Sequence, residues 1–272
     1  MSFCLKKYGK NLWLGEFSAF SRSGLVTHAM TARAGGTSRG VYASFNAALH
    51  VGDDAAAVTA NRRLLAEALG LQPERICTAE QVHGDTIRRV QASDAGRGAF
   101  AYADAFPATD ALMTDVPGLP LLMCFADCVP VLLLDPVNRA VAVAHGGWKG
   151  TVLHIAAKTL ARMGQEFGTK PADCLAAIGP SIGPCCFEVG PEVRAQFRAS
   201  FPGFADKIIS EANDAIHINL WEANRLQLMA EGMPAENIDV AKVCTCCNSE
   251  TFYSYRADNG TTGRLAAVIA LK

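Results

Sequence analysis

Near neutral pH, histidine and cysteine are the side chains most readily assembled into a reactive centre, and three of them stand out in this chain. His145 ends the apolar run of "AVAVAHGGWKGT" and is followed by two glycines, a tryptophan and a lysine. A strand that only filled a core would need none of these. Cys128 lies in "CFADCVPVLLLD", on the other arm of a predicted hairpin turning at Asp135-Pro136-Val137-Asn138. The Asp-Pro start suits a type I turn, with Pro136 fixing φ at its second position. If Asp135 pairs with Asn138, the same register sets Cys128 directly across from His145, with Cβ atoms about 5 Å apart. A bulged three-residue loop would move that register by one, and Pro130 interrupts the ladder. A thiolate and an imidazole so placed can share one metal ion.

A third ligand is offered by His83 in "TAEQVHGDT", where Gly-Asp marks a turn at an element's end. His154 falls inside a predicted helix, while His28, His50 and His217 lie in polar surroundings. His83, Cys128 and His145 would leave a fourth coordination position for water, which is the arrangement of a catalytic zinc rather than a structural one. Two histidines and a cysteine also describe a blue-copper centre. A multicopper oxidase, however, needs many histidines, commonly as His-x-His, and this chain has six and no such pair. Zinc is therefore expected. Gly146 and Gly147 permit close backbone approach. The helix beginning near Lys149 would present free N–H groups beside the lysine ammonium, a seat for phosphate next to the metal. The same residues admit two rivals: a cysteine hydrolase with Cys128 as nucleophile and His145 as its base, and a non-catalytic metal-binding protein.

These groups must be held by a fold that the patterning outlines. The chain has 272 residues, half of them apolar, which is ample for one core. With 25 basic against 26 acidic residues and no charged block, neither nucleic acid nor a membrane surface is an expected partner. The start lacks the apolar stretch of an export signal, so a cytoplasmic location is expected. Asp53 or Asp54 can cap a helix over about 55–69 that Gly70 stops, with Asn61 and Arg62 in its apolar stripe. Further helices are expected over about 150–163, from Pro191, and from Asn219 to near Gly232. "LPLLMCFADCVPVLLLDPVNRAVAVAH" reads as two apolar strands, and "TFYSYRADNGTTGRLAAVIALK" as a closing hairpin through Asp258-Asn259-Gly260. The polar stretch 91–110 is a long loop, too long to be idle. The expectation is an α/β (α+β) sandwich, mixed sheets covered by helices, with 1–272 as a single catalytic domain. Among the ten cysteines, Cys185 and Cys186 and the group Cys244, Cys246 and Cys247 read as buried thiols. Adjacent residues in a strand face opposite sides and chelate poorly.

Taken together, "GGTSRGVYASFNAALHVGDD" with "NRRLL", "EQVHGDT", "CFADCVPVLLLD", "AVAVAHGGWKGT", "AIGPSIGPCCFEVG" and "YSYRADNGTTGRLAAVI" resemble one family. It is the purine nucleoside phosphorylase family formerly labelled polyphenol oxidase or multicopper laccase-like. The resemblance runs from about residue 24 to the C-terminus. It implies zinc at His83, Cys128 and His145, phosphorolysis of adenosine, inosine and methylthioadenosine to base and sugar phosphate, and adenosine deamination alongside. Purine nucleoside and phosphate would then be the partners. Some members are linked to cell-wall peptide editing, which suits the cysteine-hydrolase alternative. Deamination at C6 would need a carboxylate to carry a proton, for which Asp127, Asp110 and Glu188 are candidates. Asn46 and Arg62 are placed in the substrate pocket, against plainer roles as a turn residue and a buried ion pair. One departure concerns the anion: Gly146 and Lys149 stand where the family usually has alanine and arginine. Lysine keeps the charge but loses the bidentate fork.

Overall fold

The computed structural model describes residues 3–9 and 11–272. Two sheets stack face to face with helices outside them. The first is antiparallel, in the order Phe3–Tyr8, Leu12–Phe17, Val26–Thr31, Leu265–Leu271, Leu121–Phe125. The second is mixed, in the order Ile238–Val240, Leu175–Ile178, Val129–Asp135, Ala140–Gly146, Ala111–Thr114, Ile87–Arg89, with parallel pairs only at its two edges. A small three-stranded sheet, Glu188–Val189, Ala215–Ile218 and Ile209–Ala212, stands apart. The expected mixed α/β class holds.

Side-chain alternation assigns the layers. Leu132, Leu134, Val141 and Val143 pack against Met123, Phe125, Ala267 and Ile269 of the other sheet. Their neighbours Val131, Leu133, Ala142 and Ala144 face the opposite way, onto the helices Ile155–Phe167, Pro191–Ser200 and Leu220–Ala230. The helix Ala55–Leu69 covers the far face of the antiparallel sheet, where Leu65 and Ala66 meet Leu122, Ala266 and Val268. Its ends are where the residues require them. Asp54 accepts from the Ala56 N–H, and Gly70 closes the helix at φ 66°, a left-handed conformation that glycine adopts at no steric cost. Asn219 likewise caps Leu220–Ala230 by accepting from the Glu222 N–H.

Four expectations need correction. The predicted pair of strands at 119–145 is three, because the chain changes sheets at Ala126-Asp127-Cys128, with Asp127 at φ 78°. The hairpin Val129–Asp135/Ala140–Gly146 closes on Asp135 opposite Ala140, so its loop has four residues. The Asp135 carboxylate accepts from the Val137 and Asn138 N–H groups, and Arg139 takes a left-handed φ of 53° to complete it. The register therefore sets His145 opposite Pro130. A shift of two keeps side-chain parity, so Cys128 and His145 still share a face. No hairpin forms through Asp258-Asn259-Gly260. Leu265–Leu271 is buried along its whole length and sits between two strands as a central strand, while 251–264 is a series of turns. The helix expected over 150–163 is broken into Trp148–Val152 and Ile155–Phe167, with His154 in the left-handed region between them. The 91–110 loop contains short turns at Ala92–Asp94 and Tyr102–Asp104. Among the described residues no helix is long and apolar enough to cross a membrane.

Candidate active site

Alternation carries Cys128 and His145 onto the inter-sheet face, just where the two sheets end. There His145 packs its ring on Phe125, centroids 5.5 Å apart. Asp110 immediately precedes the neighbouring strand Ala111–Thr114 and, by the register of that pair, stands directly across from His145. The His145 N–H donates to the Asp110 carbonyl at 2.8 Å, and its Nδ1 meets the Asp110 carboxylate at 2.8 Å. The same carboxylate accepts from the N–H groups of Val82, His83 and Gly84 at 3.2, 3.0 and 2.7 Å. Three consecutive amides aimed at one buried anion hold the His83 turn in place, with His83 itself at φ 63°. One carboxylate thus positions both histidines. It leaves Nε2 of His145 free to face Cys128.

The ligand atoms of His83, Cys128 and His145 all lie within 4.8 Å of one another. Gly147 makes this approach possible. A Cβ there would stand 2.9 Å from Cδ2 of His83 and 3.0 Å from the Cys128 sulfur. Gly146 has a similar reason, since a Cβ would come within 3.1 Å of Asn224 Oδ1 and of the Val129 carbonyl. Burial opposes charge on both members of the central pair, yet their mutual attraction prevails. Facing His145, the Cys128 thiol is pulled down to about 6. His145, beside that thiolate and Asp110, is raised to about 9. Burial also pushes the Asp110 carboxyl up, but the His145 hydrogen bond and charge and the amides of Gly84 and Val82 outweigh it and hold it below the usual range.

The cluster forms one wall of a cavity of about 590 Å³, within the range of small-molecule sites. Trp148, Ile182, Phe187, Leu220 and Tyr255 supply apolar surface; His50, Gln81, Asp127, Arg256 and Arg264 supply polar groups. Asp127 is the single carboxylate among these lining residues. It accepts from Thr245 Oγ1 (2.6 Å), Ser254 Oγ (3.0 Å) and the Arg256 N–H (2.7 Å), tying together the loops that make the wall. Arg256 and Arg264 donate to backbone carbonyls, Arg256 to those of Cys186 and Glu188, Arg264 to those of Thr262 and Gly263. Among the described residues neither has a carboxylate within salt-bridge distance.

Other sequence candidates lie elsewhere. Arg62 is fully buried behind the cavity. It donates from Nε to the Ala47 carbonyl at 2.8 Å and from Nη1 to those of Gly98 and Ala99, so it is a strut between two loops rather than half of an ion pair. Asn46 is buried too; its Oδ1 accepts from the Ala48 and Arg264 N–H groups and its Nδ2 donates to Asp53. Neither lines the cavity. Lys149 is exposed, its ammonium 5.7 Å from the Trp148 ring centroid, and it is not part of the lining. The helix behind the glycine turn, Trp148–Val152, is only five residues long, too short for the phosphate seat expected there. Glu188 is exposed and off the cavity wall. The residues that sequence reading left without a role are Arg256 and Arg264, although both stand in the quoted "YSYRADNGTTGRLAAVI".

A two-sheet α/β sandwich with a His/Cys cluster at the rim of an apolar cavity defines the class of protein. The profile of the family described as multi-copper polyphenol oxidoreductase laccase matches residues 27–272, and the chain belongs to that family. It is 44% identical over 241 residues to purine nucleoside phosphorylase YlmD of Geobacillus stearothermophilus, covering 88% of each chain. It is 34% identical to adenosine deaminase RL5 of an unknown prokaryotic organism, over 83% of this chain and 86% of that one. The crystal structure of YlmD from Geobacillus stearothermophilus superposes with a TM-score of 0.93 at 39% identity, over 98% of both chains.

Proposed function

We propose that this chain is a zinc-dependent purine nucleoside phosphorylase, acting on adenosine, inosine and methylthioadenosine, that also deaminates adenosine. The observation that carries the reading is the three-ligand cluster opening onto a cavity whose remaining wall joins apolar rings to two arginines without carboxylate partners. Relatives named purine nucleoside phosphorylase and adenosine deaminase support the two reaction types.

The donor set fits the metal. Two imidazoles and a thiolate are borderline-soft ligands suited to zinc, and three protein ligands are the count of a catalytic site. Asp110 fixes the tautomer of His145 as an outer carboxylate does for metal-bound histidines. A multicopper centre would need further histidine clusters, and none forms among the described residues. Zinc, when bound, supplies fixed positive charge and Lewis acidity to the cavity.

The chain's own groups do the rest. Phe187, Tyr255 and Trp148 offer flat apolar surface for a purine, and Arg256 and Arg264 offer guanidinium forks for phosphate. In phosphorolysis a phosphate oxygen bonds to C1′ as the C1′–N9 bond breaks, its electron pair leaving with the purine, through an oxocarbenium-like state. Cations preorganised around the attacking anion stabilise that state without reorganisation. For deamination Asp127 is the carboxylate on the wall. The test is release of free base from adenosine and inosine with and without phosphate, in zinc-loaded protein. Base release that is unchanged when phosphate is withheld sinks phosphorolysis.

A second reading rests on one specific arrangement. Asp110, His145 and Cys128 are ordered as in a cysteine hydrolase, carboxylate to imidazole to an acidified thiol. It would act without metal, which distinguishes it.

A further inference from the structure

Cys185, Cys186, Cys244 and Cys247 read from the sequence as buried thiols, but Cys185 and Cys247 are exposed and the four form a second cluster. Their sulfurs all lie within 4.8 Å of one another. Neither vicinal pair lies in a strand. Cys185 and Cys186 occupy a tight turn in which the N–H groups of Cys186 and Phe187 both donate to the Gly183 carbonyl, and Cys247 lies in the turn that follows Cys244. Opposite-face alternation therefore does not apply. Cys244 and Cys247 also have the Cys-x-x-Cys spacing of a metal knuckle, with Cys246 inside it packed against the core.

The backbone is arranged for charged sulfur. Cys244 Sγ accepts from the Gly183 N–H at 3.2 Å and from the Cys247 N–H at 3.5 Å, the amide-to-thiolate pattern that stabilises an anionic ligand. The two loops are pinned by a bridge between Ser181 and Cys244. Gly183 admits their approach, since a Cβ there would stand 3.1 Å from the Cys244 Cβ and 2.8 Å from the Trp221 ring. Cys247 Sγ lies 3.4 Å from Cys185 Sγ and 3.3 Å from Cys186 Sγ. A zinc ion with four thiolates at about 2.3 Å spaces its sulfurs about 3.8 Å apart, so small side-chain adjustments suffice. One disulfide would use two of these sulfurs and leave the others crowded.

We propose that Cys185, Cys186, Cys244 and Cys247 bind a second zinc ion, an all-thiolate structural site distinct from the His83, Cys128 and His145 cluster. Each thiol yields its proton to solvent as its sulfur takes the metal, with no change of oxidation state. Four thiolates on one divalent ion leave a net negative charge, and the Arg256 guanidinium, bonded to the Cys186 carbonyl, stands beside it. The site clamps the two loops that give the cavity Ile182, Phe187, Tyr255 and Arg256. It does not depend on the nucleoside reading.

The experiment counts zinc in the full chain after reduction, zinc loading and removal of loosely held metal. Wild type should retain two equivalents. Cys247→Ser, at an exposed position, should retain the one that His83→Ala loses, and His83→Ala the one that Cys247→Ser loses. Cobalt loaded into His83→Ala should show the intense near-ultraviolet charge-transfer absorption of tetrathiolate cobalt. A measurement on unaltered chain guards against misfolding: zinc should protect Cys185 and Cys247 from alkylation, while exposed Cys4 continues to react. Retention of one equivalent that His83→Ala removes completely, alkylation of Cys247 as fast as Cys4 with zinc present, or a stoichiometric disulfide within the cluster after reduction and zinc loading would each overturn the proposal.

Discussion

Asp110→Asn separates the shape of the buried carboxylate from its charge. Asp110 is fully buried, and its two oxygens divide four donors: Oδ1 takes the His83 N–H and His145 Nδ1, and Oδ2 takes the Val82 and Gly84 N–H groups. An amide of the same shape must point its NH₂ at one of those pairs. Turned toward Val82 and Gly84, it opposes two backbone donors and frees the His83 turn. Turned toward His145, it forces the imidazole to accept at Nδ1 and carry its proton on Nε2, the nitrogen that faces Cys128. Either orientation loses two charge-assisted bonds at a fully buried position. We expect a stability loss of roughly 2–4 kcal/mol and a fall of about 10–100-fold in zinc affinity. Chemical denaturation of zinc-free protein measures the first, and competition with a chromophoric chelator the second. Because the loss in the zinc-free state is independent of metal, the two readouts should respond separately to added zinc. An Asn variant that holds zinc as tightly as wild type and turns over nucleoside at the original rate would falsify the assignment of Asp110 as the group that positions both histidines.

Three other expectations follow from the same geometry. His83→Ala and chelation should both silence nucleoside turnover under the metal reading, because two ligands hold zinc poorly; a cysteine hydrolase built on Cys128 and His145 would survive both, so a chelated chain working at full rate decides for it. Arg256→Ala and Arg264→Ala should raise the phosphate requirement, each costing roughly 2–4 kcal/mol in transition-state stabilisation, whereas Lys149→Ala should change it little; phosphate titration in steady-state kinetics tells them apart, and the reverse ranking would return the anion seat to the glycine turn. Far from the site, His28 accepts the Phe17 N–H at Nε2, and burial lowers it to about 4, the nearby Glu16 opposing and Lys6 and Lys272 assisting. A base depressed when folded stabilises the fold in full above its unfolded value near 6.5 and loses that contribution as pH falls toward 4, at most about 3 kcal/mol. Denaturation between pH 7 and pH 4 should show this slope, and His28→Gln should flatten it; an unchanged slope in the variant would assign the acid sensitivity elsewhere.

What could be read from residues alone was whatever depends on local chemistry and parity. Helix Ala55–Leu69 was visible because its cap, its stripe and its terminal glycine act within a few residues of one another. Cys128 and His145 could be placed on one face because strand alternation survives any even error in register. The four-residue loop introduced such an error and left the pair on the same side. The tertiary structure decided everything that depends on which strands become neighbours. Ala111–Thr114 lies beside Ala140–Gly146, and that adjacency alone turns Asp110 from one carboxylate among several into the residue that holds both histidines. The unbroken apolar run Leu265–Leu271 suits a fully buried strand, but nothing in it names its neighbours, and its entry between Val26–Thr31 and Leu121–Phe125 draws Arg264 to the cavity and leaves 251–264 as wall rather than hairpin. Asn46 and Arg62 looked functional because polar groups on apolar stripes invite that reading. Only the folded chain shows Arg62 bonded to backbone carbonyls and Asn46 to backbone amides and the Asp53 carboxylate. The four clustered cysteines were misread for the converse reason. Their face-to-face meeting is a property of two turns brought together across 61 and 62 residues of sequence, and pairing rules for strands do not govern it.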